Sequence, residues 1–295
     1  MTRKTAKDFD PNILKLFDGY VHGDMSKRDF LRGAGKYLAA GVTATAVLES
    51  LQPDYALAEQ VAPDDPGIET MRVRYDSPEG HGAISGLMAK PAGASGPLPA
   101  VLVIHENRGL NPYIEDVVRR TAKAGYLAFG PDGLSPLGGY PGNDDEGREM
   151  QRSLDGTKLL QDFFAAFEFL TAHDGSTGKV GAVGFCYGGG VCNALAVSYP
   201  EMAASVPFYG RQAAAGDVPR IQAPLLLHYG ELDERINAGW PAYEAALEAH
   251  GKTYEAYIYP GAPHGFHNDT TPRYDPEAAA LAWERTLAHF AAYLS

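Results

Sequence analysis

The chain has 295 residues, enough for one large domain or two small ones, with 45% hydrophobic and 21% charged residues, the make-up of an ordinary soluble globular protein. Its formal net charge of −12 lacks the basic footprint of a nucleic-acid binder and makes anionic membranes poor partners. The two cysteines, Cys186 and Cys192, fall on different faces of one helix, so no disulfide framework is expected. They are too few for a Cys-rich metal site, and neither a metal nor a cofactor is expected.

Residues 1–62 read as an N-terminal helical extension. Pro11 to His22 has the apolar spacing of a short amphipathic helix, through Ile13, Leu14, Leu16, Phe17 and Tyr20. Ser26-Lys27-Arg28-Asp29-Phe30-Leu31-Arg32 is similar to a twin-arginine export motif with lysine in the first arginine place. A weakly apolar run follows from Gly33 to Leu51, and Ala56-Leu57-Ala58 supplies a small-residue cleavage pattern. Lys36 and Glu49 interrupt that run, so no membrane span is expected. Two readings stand: a periplasmic destination, or a cytoplasmic protein in which residues 12–52 form two helices packed on the catalytic domain or on a partner subunit, with a homo-oligomer as one outcome.

Residues 63–295 read as the catalytic domain. Met71–Tyr75 and Ile84–Ala89 are two strands around a turn. Ala100–His105 is a continuous apolar run, as in a strand buried on both faces. Pro112–Ala124 is a helix closed by Gly125, and Tyr126–Gly130 a buried strand. Ser135–Asp145, rich in Gly and Pro, is a long loop. Glu146–His173 has helical spacing, Val180–Gly184 is a strand and Tyr187–Ser198 a helix. Val206–Tyr209, Leu225–Tyr229 and Tyr254–Tyr259 are strands, and Ala238–His250 and Pro276–Leu294 helices. This alternation predicts an α/β fold, a mostly parallel central sheet with helices on both faces. No nucleotide-binding glycine loop is present.

Gly184-Phe185-Cys186-Tyr187-Gly188-Gly189 follows a strand and opens a helix, the Gly-x-nucleophile-x-Gly form of a nucleophile elbow with cysteine in the nucleophile's place. The helix N-terminus favours a thiolate and brings the Tyr187 amide to a developing oxyanion. The alternative is a buried structural cysteine in a Gly-rich turn. Asp233 leaves the end of the Leu225–Tyr229 strand as the acid, with Glu231 and Glu234 as loop neighbours. His264 leaves the end of the next strand as the base. His267 reads as solvated or facing substrate.

Together, His105-Glu106-Asn107-Arg108-Gly109-Leu110-Asn111, Gly184–Gly189, Gly230–Asp233 and His264-Gly265-Phe266 resemble the dienelactone hydrolase family, from about Gly67 to Ser295. The resemblance implies an α/β-hydrolase fold, a Cys186–His264–Asp233 triad and a small ester or lactone as substrate. It also implies contact between Glu106 and the resting thiol, and a second oxyanion donor in the Asn107 amide. The other reading of Glu106 is a strand-end carboxylate paired with Arg108. The family's substrate-binding arginine shortly after the histidine has no counterpart in His264-Gly265-Phe266-His267-Asn268. Arg108, Tyr140, Tyr209, Arg211, Trp240 and His267 are candidates for contact with substrate, and Arg148 and Arg152 are further cations. Two other functions compete: promiscuous attack on aryl esters or phosphotriesters, and a non-catalytic binding protein of the same fold.

Overall fold

The computed structural model describes residues 4–39, 41–56 and 58–295. Met1, Ala40 of the apolar run and Leu57 of the cleavage pattern lie outside these residues. Three short helices come first: α1 (Pro11–His22), α2 (Lys27–Ala34) and α3 (Ala44–Ser50). The larger unit follows with β1 (Ile68–Ser77), β2 (Gly82–Pro91), β3 (Leu98–Ile104), α4 (Pro112–Lys123), β4 (Leu127–Pro131), α5 (Asp144–Ser153) and α6 (Gly156–Ala172). It ends with β5 (Ser176–Phe185), α7 (Tyr187–Ser198), β6 (Ala204–Phe208), β7 (Leu225–Gly230), α8 (Glu234–Asn237), α9 (Trp240–Ala249), β8 (Tyr254–Tyr259) and α10 (Pro276–Leu294).

The eight strands form one sheet in the order β1-β2-β4-β3-β5-β6-β7-β8. β2 runs antiparallel to β1 and β4, and the pairs from β4 through β8 are parallel. This is the expected α/β architecture. β3 shows why its sequence is apolar throughout. Ala100, Leu102 and Ile104 join the core beneath α6 and α7, while Val101 and Val103 join the core beneath α4 and α10.

The long helix expected over Glu146–His173 is two helices. Asp155 takes the amides of Thr157 (2.9 Å) and Lys158 (3.2 Å) on its side chain, so a new helix starts there. Downstream, α9 starts two residues after the expected Ala238, because α8 occupies the preceding turn.

The N-terminal region holds three helices where the apolar spacing suggested two. Asp10, Ser26 and Thr43 cap them, accepting from Asn12, Asp29 and Ala46, and Gly23 ends α1 at φ 87°. They share a small core of Ile13, Phe17, Val21, Phe30, Ala34, Val47, Leu48 and Leu51. Among the described residues, no helix is long and apolar enough to cross a membrane.

The turn from β5 into α7 is crowded. A Cβ on Gly184 would lie 2.1 Å from the Gly188 carbonyl oxygen, and one on Gly188 would lie 2.3 Å from the Ile104 oxygen. Backbone atoms cannot swing aside as a side chain can. Gly184→Ala should therefore cost about 1–3 kcal/mol, read as a lower urea midpoint at constant m-value. An unchanged midpoint would show that the turn tolerates a side chain.

Candidate active site

β5 and α7 meet at Cys186, where the backbone takes φ 54°, a positive value rare for a residue with a side chain. The Cys186 amide donates to the Phe208 carbonyl at 3.0 Å, which ties the turn to β6. Tyr187 is the first residue of α7, so its amide has no intrahelical acceptor.

β7 and β8 are parallel neighbours, so the segments leaving their carboxyl ends emerge side by side. Asp233 caps α8 by accepting from the Ile236 amide at 3.2 Å, and its other carboxylate oxygen lies 2.5 Å from His264 Nδ1. The Asp233 carboxylate is thus fixed by the helix start and in turn fixes the His264 imidazole, with Nε2 directed away from it.

A second imidazole, which sequence reasoning missed, completes the cluster. His22, the last residue of α1, has Nε2 3.4 Å from Cys186 Sγ and 3.2 Å from His264 Nε2. Its Nδ1 donates to the Asp18 carbonyl at 2.8 Å and lies 3.3 Å from the Asp18 carboxylate. Asp18 also meets Arg273 Nη1 at 3.2 Å, and the Arg273 guanidinium lies over the Phe17 ring. The Asn107 side-chain amide donates to the Val21 carbonyl at 2.7 Å. One turn of α1 thus lies against the Cys186 thiol, the His264 imidazole and the Asn107 side chain. The sequence places Asp18 and His22 four apart, hence on one helix face, but carries no signal for what that face meets.

The charges are coupled. Burial opposes ionisation of Cys186, but the imidazoles of His264 and His22 outweigh it and bring the thiol down to about 5. Burial likewise opposes a charged His264, yet Cys186 and Asp233 raise it to about 10. His22 is raised against burial by the thiolate and Asp18. Asp18 is held well below the usual carboxylate range, again against burial, by His22, His264 and Arg273. Cys192, by contrast, is pushed up by burial in the core.

A cleft of about 650 Å³ opens beside the thiol. Its walls include His22, Asn107, Tyr187, Tyr209 and Arg211, with Leu160 and Phe164 as apolar surface. The Tyr209 ring packs 4.9 Å from His264, and its buried hydroxyl has no hydrogen-bond partner among the described residues.

Four other substrate candidates lie elsewhere. Trp240 packs on Tyr229, Tyr243 and Tyr254 in the core. Arg108 is buried between Asp144 (2.7 Å) and Glu106 (3.2 Å), and Tyr140 donates to Asp144 at 2.8 Å. These two residues satisfy one buried carboxylate and do not line the cleft. His267 is neither solvated nor on the cleft wall. It stacks on Phe185, bonds Tyr113 at 2.7 Å, and is lowered to about 3 by burial and by Arg120.

Glu106 departs from the expected contact with the thiol. Its carboxylate accepts from Asn268 at 2.9 Å and meets Arg108, while the sulfur is bonded by His22. A guanidinium and an amide offer this buried carboxylate better partners than a thiol. Asn268, four residues after His264, stands where an arginine was sought. The nearby cation is Arg273, whose guanidinium is 3.3 Å from where a Gly265 Cβ would lie.

The chain is 60% identical over 116 residues to the provisionally named hydrolase fragment YghX of Escherichia coli (strain K12), covering 39% of this chain and 99% of that one. It is 35% identical over 216 residues to a protein of Bradyrhizobium sp named "Probable 2-oxo-3-(5-oxofuran-2-ylidene)propanoate lactonase", covering 68% of this chain and 86% of that one. Among solved structures it is similar to the dienelactone hydrolase-like promiscuous phosphotriesterase P91 from metagenomic libraries, at TM-score 0.67 and 26% identity, covering 78% of this chain and all of that one. Residues 1–39 match a YqhI-like family model, so His22 comes from a segment with a separate match. Residues 84–294 match the model of the dienelactone hydrolase family, and the chain, a hydrolase, belongs to that family.

Proposed function

We propose that the chain hydrolyses carboxylic esters or lactones with Cys186 as nucleophile, His264 as general base and acid, and Asp233 as the residue that orients His264. The observation that carries this reading is the 2.5 Å contact between His264 and Asp233 beside the Cys186 thiol at the head of a helix. Substrate displaces His22 from the sulfur, and the thiolate attacks the acyl carbon. The oxyanion is met by the amides of Tyr187 and Asn107. As the tetrahedral intermediate collapses, the C–O bond breaks and the leaving alkoxide takes a proton from His264. Water, deprotonated by His264, then cleaves the thioester, releasing the acid and restoring the thiolate.

Leu160 and Phe164 offer apolar wall to an acyl or leaving group, and Arg211, Arg220 and Arg235 also line the cleft, Arg220 being paired with Asp217 at 2.9 Å. A second reading, cleavage at phosphorus, is favoured by the likeness to P91. It uses the same thiolate and oxyanion donors. Glu106 acts from beside the site as a carboxylate already matched by Arg108, so its restraint on the thiolate is weak.

Replacing the nucleophile should be decisive. Cys186→Ala should lower p-nitrophenyl acetate turnover by at least about a thousandfold, and survival of turnover would remove both the nucleophile and the mechanism. The pH dependence has a definite sign. A thiol lowered to about 5 stays ionised at neutral pH, so alkylation of Cys186 by iodoacetamide should stay level down to about pH 6 and fall below about 5. A fall starting near the free-thiol value of about 8.5 would reject the ion pair. Glu106→Gln should change the neutral-pH alkylation rate by less than about twofold, since the thiolate is already formed there. A rise of about tenfold would reinstate Glu106 as the gate on the thiol.

A further inference from the structure

We infer that His22, Cys186 and His264 form a binding site for a divalent transition metal of zinc type, with one coordination position open to the cleft. Their three donor atoms, two imidazole nitrogens and one sulfur, lie within 4.8 Å of one another. A tetrahedral zinc ion, with bonds of about 2.0–2.1 Å to nitrogen and 2.3 Å to sulfur, sets its donors about 3.4 Å apart for two nitrogens and about 3.6 Å apart for nitrogen and sulfur. The corresponding distances here are 3.2 Å between the two Nε2 atoms and 3.4 Å between His22 Nε2 and Sγ. Two of the three donor pairs thus stand near the required separation before any ion arrives, and the third, His264 Nε2 to Sγ, lies within 4.8 Å.

The outer contacts point the same way. Metal-bound histidines commonly donate the far ring nitrogen to a carboxylate or carbonyl, which fixes the tautomer and aims the other lone pair. Both imidazoles have this arrangement. His264 Nδ1 is held by Asp233 at 2.5 Å, and His22 Nδ1 by the Asp18 carbonyl at 2.8 Å with the Asp18 carboxylate at 3.3 Å. Two oriented nitrogens and a thiolate form a borderline-soft donor set, suited to zinc or cobalt and poor for magnesium or calcium. Three protein donors leave the fourth position for water or a small ligand, and His22 and Cys186 both line the cleft through which it would enter. On binding, the metal takes the sulfur lone pair and both Nε2 lone pairs, and any proton they carried passes to solvent.

The site needs only the positions of these three side chains and does not depend on Cys186 being a nucleophile. If Cys186 is one, the metal-bound form and the thiolate-attacking form exclude each other, and zinc is a reversible inhibitor. Sequence reading could not assemble the set, because His22 and Cys186 are 164 residues apart and His22 lies in the N-terminal extension.

Cobalt(II) titration of the chelator-treated full-length protein tests the site without reference to turnover. The expected result is one equivalent bound, with the near-ultraviolet charge-transfer band of a cobalt–thiolate bond and the intense visible bands of four-coordination. Cys186→Ala should abolish the charge-transfer band, and His22→Gln should weaken binding by at least about tenfold. Asp18→Asn, which leaves the donors in place, should weaken it by a smaller factor. Saturating zinc should protect wild-type Cys186 from iodoacetamide. Binding without the thiolate band, equal affinity in the His22→Gln protein, or alkylation undiminished by zinc would each overturn the site and leave an adventitious ion only. If His22→Gln does not fold, the wild-type spectrum and the protection experiment still decide the matter. Loss of hydrolysis in Cys186→Ala with no cobalt band in the wild type would reject the metal site and leave the hydrolase reading intact.

Discussion

The geometry of the site depends on one backbone constraint, the crossing of β5 into α7 at Cys186. A positive φ at a residue with a side chain is costly, and it persists only where the surroundings dictate it. Here the surroundings are backbone. Gly184 and Gly188 press against each other, and Gly188 presses against the end of β3. The hydrogen bond from the Cys186 amide to Phe208 closes the turn from the β6 side. Three neighbouring strands thus fix one sulfur atom. The strand ends that carry Asp233 and His264 lie further along the same edge, so the order of strands in the sheet becomes the order of groups in the site.

A second constraint acts from outside the sheet. Asp18, in α1, meets Arg273, whose side chain is only 4% exposed. Such a pair is no assurance of stability, because desolvation offsets much of the attraction, but breaking it from one side leaves a buried charge alone. It therefore works as a register device. With Asp18 held by Arg273, His22 falls one turn later on the same helix face, against the thiol. The N-terminal helices also meet Asn107 and Glu234 of the larger unit, through Val21 and Lys15.

Much of this was legible in the sequence. The parallel strands declared themselves through apolar runs such as Ala100–Ile104, and α10 begins and ends where Pro276 and Leu294 suggested. Cys186, Asp233 and His264 each follow a strand, so local pattern and chain order were enough to place them along one sheet edge. Residues whose role depends on distant partners were not legible. Trp240 and His267 have side chains as suited to a pocket as to a core, and only their packing on Tyr229 or Phe185 decides between them. Arg273 was not legible because it lies well beyond His264 in the chain, and only the folding back of the loop brings it beside Gly265. His22 was missed because nothing in a solitary helix says which cavity its last residue will meet.

The contact between His22 and the sulfur ties the site to the integrity of the amino-terminal segment. Ala58 lies after α3 and before β1, at the junction between the helical extension and the sheet. A chain severed at that junction and released from its first helices would keep the sheet, the elbow and the Asp233–His264 pair. It would lose one imidazole from the sulfur, the Asp18 partner of Arg273 and the Val21 acceptor of Asn107. The intact and severed chains would thus differ at the Cys186 sulfur, at the Arg273 guanidinium and at the Asn107 side chain.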